Sequence, residues 1–122
     1  EEAIKYSKER SQFGKLISEF QGIQWMLADM TIKVEAARLL TYRAATNAEG
    51  GLPSRLETSI AKAYANEMAL DVANMAVSIH GGYGYLKEYP VERILRDSRF
   101  PSVGGGTIQI QKNSIAHEIL KR

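Results

Sequence analysis

Apolar positions recur with a helical period along most of this chain. Ile23, Leu27, Met30, Val34, Ala37 and Ala44 follow one another at steps of three, four and seven, which puts them on one face of a helix over residues 19–47. Strong helix formers such as Ala36, Ala37, Arg38, Leu39 and Leu40 support it, and the glycine pair in Asn47-Ala48-Glu49-Gly50-Gly51 supplies a stop. A second long helix is expected to start near Pro53-Ser54, where proline suits a helix entrance, and to run through Ile60, Tyr64, Met68, Val72, Met75 and Ile79. Ala61, Ala65, Ala69 and Ala73 fall at every fourth position of that helix, so a neighbouring helix can approach closely. Two long helices joined by a short glycine-containing turn should lie antiparallel. A short helix from Pro90 and a last one over residues 107–121 complete an all-α, up-and-down four-helix bundle. No segment alternates well enough to read as a strand, and there is no internal repeat or low-complexity tract.

Residues 1–10 also follow a helical pattern, with Ala3, Ile4 and Tyr6 among charged neighbours, and neither an initiator methionine nor a capping residue precedes them. The expectation is a chain that begins inside a helix, a single domain cut from a longer polypeptide. At 122 residues and 44% apolar content it is long enough to bury a core of its own. Sixteen basic and 14 acidic residues leave a formal charge of +2, which favours neither nucleic acid nor a membrane surface. The absence of cysteine excludes disulfides, thiolate metal sites and thiol catalysis within the chain. No apolar run approaches the roughly 20 residues of a membrane span, so the chain reads as soluble.

Candidate chemistry gathers at two glycine clusters, Gly81-Gly82-Tyr83-Gly84 and Gly104-Gly105-Gly106. Glycines let backbone approach a ligand, and the second cluster runs into Thr107 and an apolar-patterned helix, the layout of an anion-binding helix N-terminus. A metal site is not expected, since His80 and His117 lie far apart without a second ligand at helical spacing. His80 can complement the dipole at a helix end or touch a ligand, and His117 should lie on the surface. There is no Gly-x-Ser-x-Gly elbow, and the first glycine cluster follows a helix where a dinucleotide fingerprint requires a strand. Arg93, Arg96 and Arg99, with Glu92 and Asp97, read as a solvated face laced with ion pairs or as a substrate contact. Arg10-Ser11-Gln12-Phe13-Gly14-Lys15 presents a guanidinium, an amide and an aromatic ring together. That set suits a phosphate-bearing cofactor, and equally a helix end docked by Phe13.

Taken in order, Arg10 to Lys15 with Phe20-Gln21, Leu27-Ala28-Asp29-Met30, Glu35-Ala36-Ala37-Arg38, Ile79-His80-Gly81-Gly82-Tyr83-Gly84-Tyr85, Glu88-Tyr89-Pro90-Val91-Glu92-Arg93, Arg96-Asp97, and Gly106-Thr107 with Ile110-Gln111 resemble one family over nearly the whole chain. They look like the C-terminal helical domain of the flavin-dependent acyl-CoA dehydrogenases. The resemblance implies that residues 1–122 form the helical bundle closing a larger enzyme. Such enzymes oxidise the Cα–Cβ bond of an acyl-CoA thioester with FAD and pass electrons to an electron-transferring flavoprotein. Base and flavin must grip opposite faces of one bond, so the site is assembled from several domains and this chain alone is not expected to be active.

Carried over by position, Arg10, Gln12, Phe20 and Gln21 resemble residues that reach the flavin of a neighbouring subunit. Ser78, Gly81 and Gly82 match the segment whose backbone meets that same flavin, although a glutamine is common where Ser78 stands. Gly106, Thr107 and Gln109 match the helix start that contacts FAD within the subunit. Sharing of the cofactor implies a homodimer or homotetramer, cytoplasmic in a bacterium and in the mitochondrial matrix in a eukaryote. Gly105 departs from the pattern: many members place the catalytic glutamate there, in Tyr-Glu-Gly-Thr, and a glycine takes no proton. The base is therefore expected outside this chain, at a position upstream of Glu1, and the glycines are expected to leave space for a bulky acyl group. Alternatives are a non-catalytic helical oligomerisation domain, or a related flavin oxidase such as an acyl-CoA oxidase or a nitroalkane oxidase.

Overall fold

The computed structural model describes residues 1–48 and 50–121. Among the described residues five α-helices carry the fold: α1 (Glu2–Glu9), α2 (Gln21–Thr46), α3 (Arg55–His80), α4 (Pro90–Arg99) and α5 (Ile108–Leu120). The all-α bundle expected from the periodicity is the observed architecture. Among its helices, α3 is the hub, packed along α2 and α5 over most of its length and also touching α1 and α4.

Local chemistry explains the boundaries. Ser54 caps α3, its Oγ accepting from the Glu57 N–H at 3.4 Å, just after the proline that marked the entrance. Pro90 occupies the first position of α4, where a missing N–H is harmless. Thr107 caps α5 by accepting from the Ile110 N–H at 3.3 Å. After α2, Gly50 and Gly51 turn the chain with φ of +63° and +84°, as expected of a glycine stop; Glu49 of the same predicted turn lies outside the described residues.

The alanine stripe performs the packing role predicted for it. Ala61 and Ala73 are buried and Ala65 and Ala69 half-buried against an α2 face that includes Met30, Val34, Thr41 and Ala44. An ion pair between Lys33 and Asp71 ties the same two helices at the surface. The hydrogen bond to Asp71 raises the Lys33 pKa above its usual value. The larger apolar groups collect at the far end of α3, where Ala3, Ile17, Ala76, Ile79 and Val91 are buried beneath Tyr6, Phe20, Ile23 and Met26. No helix among the described residues is long and apolar enough to cross a membrane.

One element departs from the all-helical reading. Ser11–Gln12 and Lys15–Leu16 pair as a two-stranded antiparallel hairpin, Ser11 opposite Leu16 and Gln12 opposite Lys15. Phe13 and Gly14 form its turn with φ of +52° and +81°, and positive φ at both central residues is the geometry whose twist matches paired strands. Two-residue strands carry no measurable alternation, and a phenylalanine at positive φ is uncommon, so the segment reads as a helix end in the sequence. The arginine face of α4 is solvated as expected, with Arg93, Arg96 and Arg99 exposed; Arg96 pairs with Glu92 at 3.5 Å, the one ion pair of that face among the described residues.

Candidate functional site

The hairpin matters because it folds Arg10 and Gln12 back over the end of α3. The Arg10 backbone is held at both sides, its N–H donating to the Tyr6 carbonyl at 2.9 Å and its carbonyl accepting from the Ile17 N–H at 2.8 Å. That anchoring projects the guanidinium over the Tyr83 ring, 5.0 Å from its centroid. Arg10, Gln12, Gly81 and Gly82, far apart in sequence, thereby line one open cavity of about 480 Å³ with Tyr6, His80 and Tyr83.

Glycine is needed where α3 stops. Gly81 has φ +59° and ψ −138°, a region reserved for glycine, and its N–H donates to the Ser78 carbonyl. A Cβ at Gly81 or Gly82 would meet no atom within 4 Å, so their bare backbone faces open space. Gly84 is the opposite case: a Cβ there would lie 2.6 Å from the Val77 carbonyl oxygen, and the short 3₁₀ turn Gly81–Tyr85 closes on α3 only because it is absent.

An aromatic cluster supports the cavity. Tyr6 stacks on His80 with centroids 4.2 Å apart, and Tyr89 meets both edge-on at 5.9 and 5.7 Å. His80 ends α3 as expected, yet it is a buried ring, not a solvent-facing one. Its Nδ1 donates to the Ala76 carbonyl at 2.8 Å. Burial pushes the Tyr6 phenol above its usual pKa, while the Arg10 charge opposes that shift. His117 is exposed.

The other predicted residues are placed differently. Phe20 packs onto the core with the Phe13 ring 6.3 Å away and the Lys15 ammonium 4.3 Å from its own centroid, and Gln21 lies exposed at the start of α2. Neither lines the cavity. Ser78 is exposed, and its hydroxyl donates to the Asn74 carbonyl at 2.9 Å, within its own helix. Gly106, Thr107 and Gln109 form a second group at the start of α5, next in sequence to the Gly104 and Gly105 carbonyls that Lys62 of α3 reaches. Lys62 and His80 are 18 residues apart on one helix, so the two glycine clusters are separated by roughly 27 Å along its axis. No single phosphate touches both.

Gly105 and Gly106 adopt φ of +65° and +97°. The space expected beside them is partly taken, because a Cβ at Gly105 would lie 2.9 Å from the Lys62 Nζ and one at Gly104 would lie 2.9 Å from the Phe100 ring. Sequence reasoning gave no sign of Lys62, nor of the stacking that joins Tyr6, His80 and Tyr89, because no local spacing links them; Tyr83 stood within the first glycine cluster.

Comparison with known proteins places this geometry in a family. The model of the family described as acyl-CoA dehydrogenase, C-terminal domain, matches residues 1–120. The CarC subunit of the caffeyl-CoA reductase–Etf complex of Acetobacterium woodii is 50% identical over 122 residues, covering 100% of this chain and 32% of that protein. The structure of butyryl-CoA dehydrogenase from Megasphaera elsdenii superimposes with a TM-score of 0.94 at 43% identity, over 98% of this chain and 31% of that one. A structure described as the FAD complex of PigA gives a TM-score of 0.90 at 30% identity, over 96% of this chain and 30% of that one. The chain thus spans about a third of the length of the relatives it matches. With a family match over all but its last two residues, the chain belongs to the acyl-CoA dehydrogenase family as its C-terminal domain.

Proposed function

We propose that this domain serves an FAD-dependent acyl-CoA dehydrogenase, contributing flavin contacts and an assembly interface while the catalytic base comes from outside the chain. The observation that carries the reading is the shared cavity of Arg10, Gln12, Gly81 and Gly82. Among the described residues Arg10 has no carboxylate partner, and the glycine backbone beside it is bare. A cation and open backbone suit a diphosphate. The relative described as an FAD complex supports the identity of the group. When bound, FAD supplies the hydride acceptor for the Cα–Cβ bond.

The role of this chain is to bind and orient. Arg10 neutralises phosphate charge at one end of the domain, and the capped start of α5 offers unpaired N–H groups at the other. The two groups are too far apart for one phosphate to touch both, and the resemblance to the family supports two cofactors, one shared across a subunit boundary and one within the subunit. Trp25, Ile32 and Leu39 recur every seven residues on α2 and are 63%, 65% and 66% exposed, an apolar stripe that supports a homodimer or homotetramer. Gly105 offers no carboxylate, and a glutamate there would carry left-handed strain beside an ammonium group. Proton abstraction is assigned to a residue upstream of Glu1.

The Etf complex to which the Acetobacterium woodii relative belongs supports an electron-transferring flavoprotein as the redox partner. That relative is named a reductase, which favours a second reading in which the same site runs toward the saturated thioester. The full-length protein is expected to purify yellow, with close to one FAD per subunit released by acid. A colourless protein that takes up no FAD on reconstitution would contradict the reading.

A further inference from the structure

Lys62 is half-buried on α3 and has no carboxylate partner among the described residues. Its ammonium donates instead to two successive loop carbonyls, Gly104 at 3.1 Å and Gly105. One helical turn on, the buried Asn66 amide donates to the Pro101 carbonyl at 2.7 Å, so one face of α3 holds the connection between α4 and α5 at two places. From the far side Gln111 reaches the Gly106 carbonyl at 3.5 Å.

Peptide planarity fixes where the loop's donors point. A trans peptide directs its N–H opposite its C=O. With the Gly104 and Gly105 carbonyls drawn to Lys62, the N–H groups of Gly105 and Gly106 are directed away from α3. Neither N–H makes a backbone hydrogen bond of ordinary geometry among the described residues. Two adjacent N–H groups facing one way form a concavity for an oxyanion. Three consecutive glycines would not hold such a pair unaided, because each is free to sample many backbone states.

We propose that Lys62 is a positioning residue. Its ammonium latches the Gly104–Gly105 carbonyls and thereby aims the Gly105 and Gly106 N–H pair, with the capped start of α5, at the bound cofactor and thioester. The role rests on the function proposed above for that end of the domain. Lysine suits the task because one ammonium serves two carbonyls and its charge is not quenched by a neighbouring carboxylate. Asn66 fixes the base of the loop and Lys62 its tip.

The test uses the full-length protein with Lys62→Met, which keeps the apolar stem, and Lys62→Arg, which restores a cationic donor. In the flavin-stripped protein, Lys62→Met is expected to speed amide hydrogen exchange in the segment 103–108 at least tenfold while α2 exchanges as in the wild type. FAD affinity should fall about tenfold, the loss expected when charge-assisted hydrogen bonds are no longer held in place. Lys62→Arg should recover at least half of each change on a logarithmic scale. Wild-type exchange and FAD affinity in Lys62→Met would overturn the proposal. So would faster exchange spread through α2 and α3, which would mark Lys62 as a general packing residue. The exchange measurement does not need flavin, so a wild-type protein that binds none would count against the function and still test the latch.

Discussion

Replacing Arg10 with alanine in the full-length protein is expected to weaken FAD binding about ten- to a hundredfold, with little change in folding stability. The magnitude follows from the chemistry: hydrogen bonds to a charged partner contribute roughly 1.5–3 kcal/mol, and about 1.4 kcal/mol is tenfold in affinity. Stability should hold because the guanidinium does little for the fold itself. It makes no ion pair among the described residues, and the aromatic ring it covers, Tyr83, is itself 42% exposed. Both backbone hydrogen bonds of residue 10 survive the substitution, so the hairpin keeps its anchor. Arg10→Lys should fall between, keeping charge and losing the planar fork that matches a diphosphate. Reconstitution of the flavin-stripped protein, followed by flavin fluorescence, gives the dissociation constant for each variant. Unchanged affinity in Arg10→Ala would remove the cavity's assigned role.

The second large effect is on folding. Gly84→Ala is expected to destabilise the domain by about 2–3 kcal/mol, the upper range for forcing extra volume into a packed site. The added methyl would stand 2.6 Å from the Val77 carbonyl oxygen, 3.0 Å from the His80 Cβ and 3.1 Å from the Val77 Cα. All three belong to α3 or to the root of a buried ring, and none is the end of a flexible side chain. Relief requires the 3₁₀ turn to lift from α3, which opens the Tyr6–His80 stack and distorts the cavity. Denaturant unfolding should show a lower midpoint with an unchanged slope. Gly82→Ala is the control. A Cβ there meets open space, so its midpoint should stay near that of the wild type.

The helices were readable because each signal is local. The proline and serine before α3, the threonine before α5 and the alanine stripe along α3 act within one or two turns, and the structure uses each as the spacing implied. The hairpin was not readable, since two-residue strands have no period and its turn uses Phe13 where asparagine or aspartate is usual. The cavity was half-legible. Arg10, Gln12, Gly81 and Gly82 stood out by residue type, but what joins them is the hairpin's path and the aromatic stack of Tyr6 on His80. Both depend on tertiary contact between α1 and α3. Lys62 was invisible for the same reason: a lysine on an amphipathic helix carries no mark of the carbonyls it meets 42 and 43 residues later.

The assignment of this domain to a flavin enzyme is tested most directly by adding saturated acyl-CoA thioesters to the full-length protein under anaerobic conditions. Flavin absorbance and the thioester product are then followed together. The expected result is bleaching of the yellow flavin with one equivalent of α,β-unsaturated thioester formed per flavin reduced, and slow recovery of colour on admitting oxygen. A flavin that stays oxidised with every thioester, and that unsaturated thioesters also leave unchanged after chemical reduction, would contradict the account.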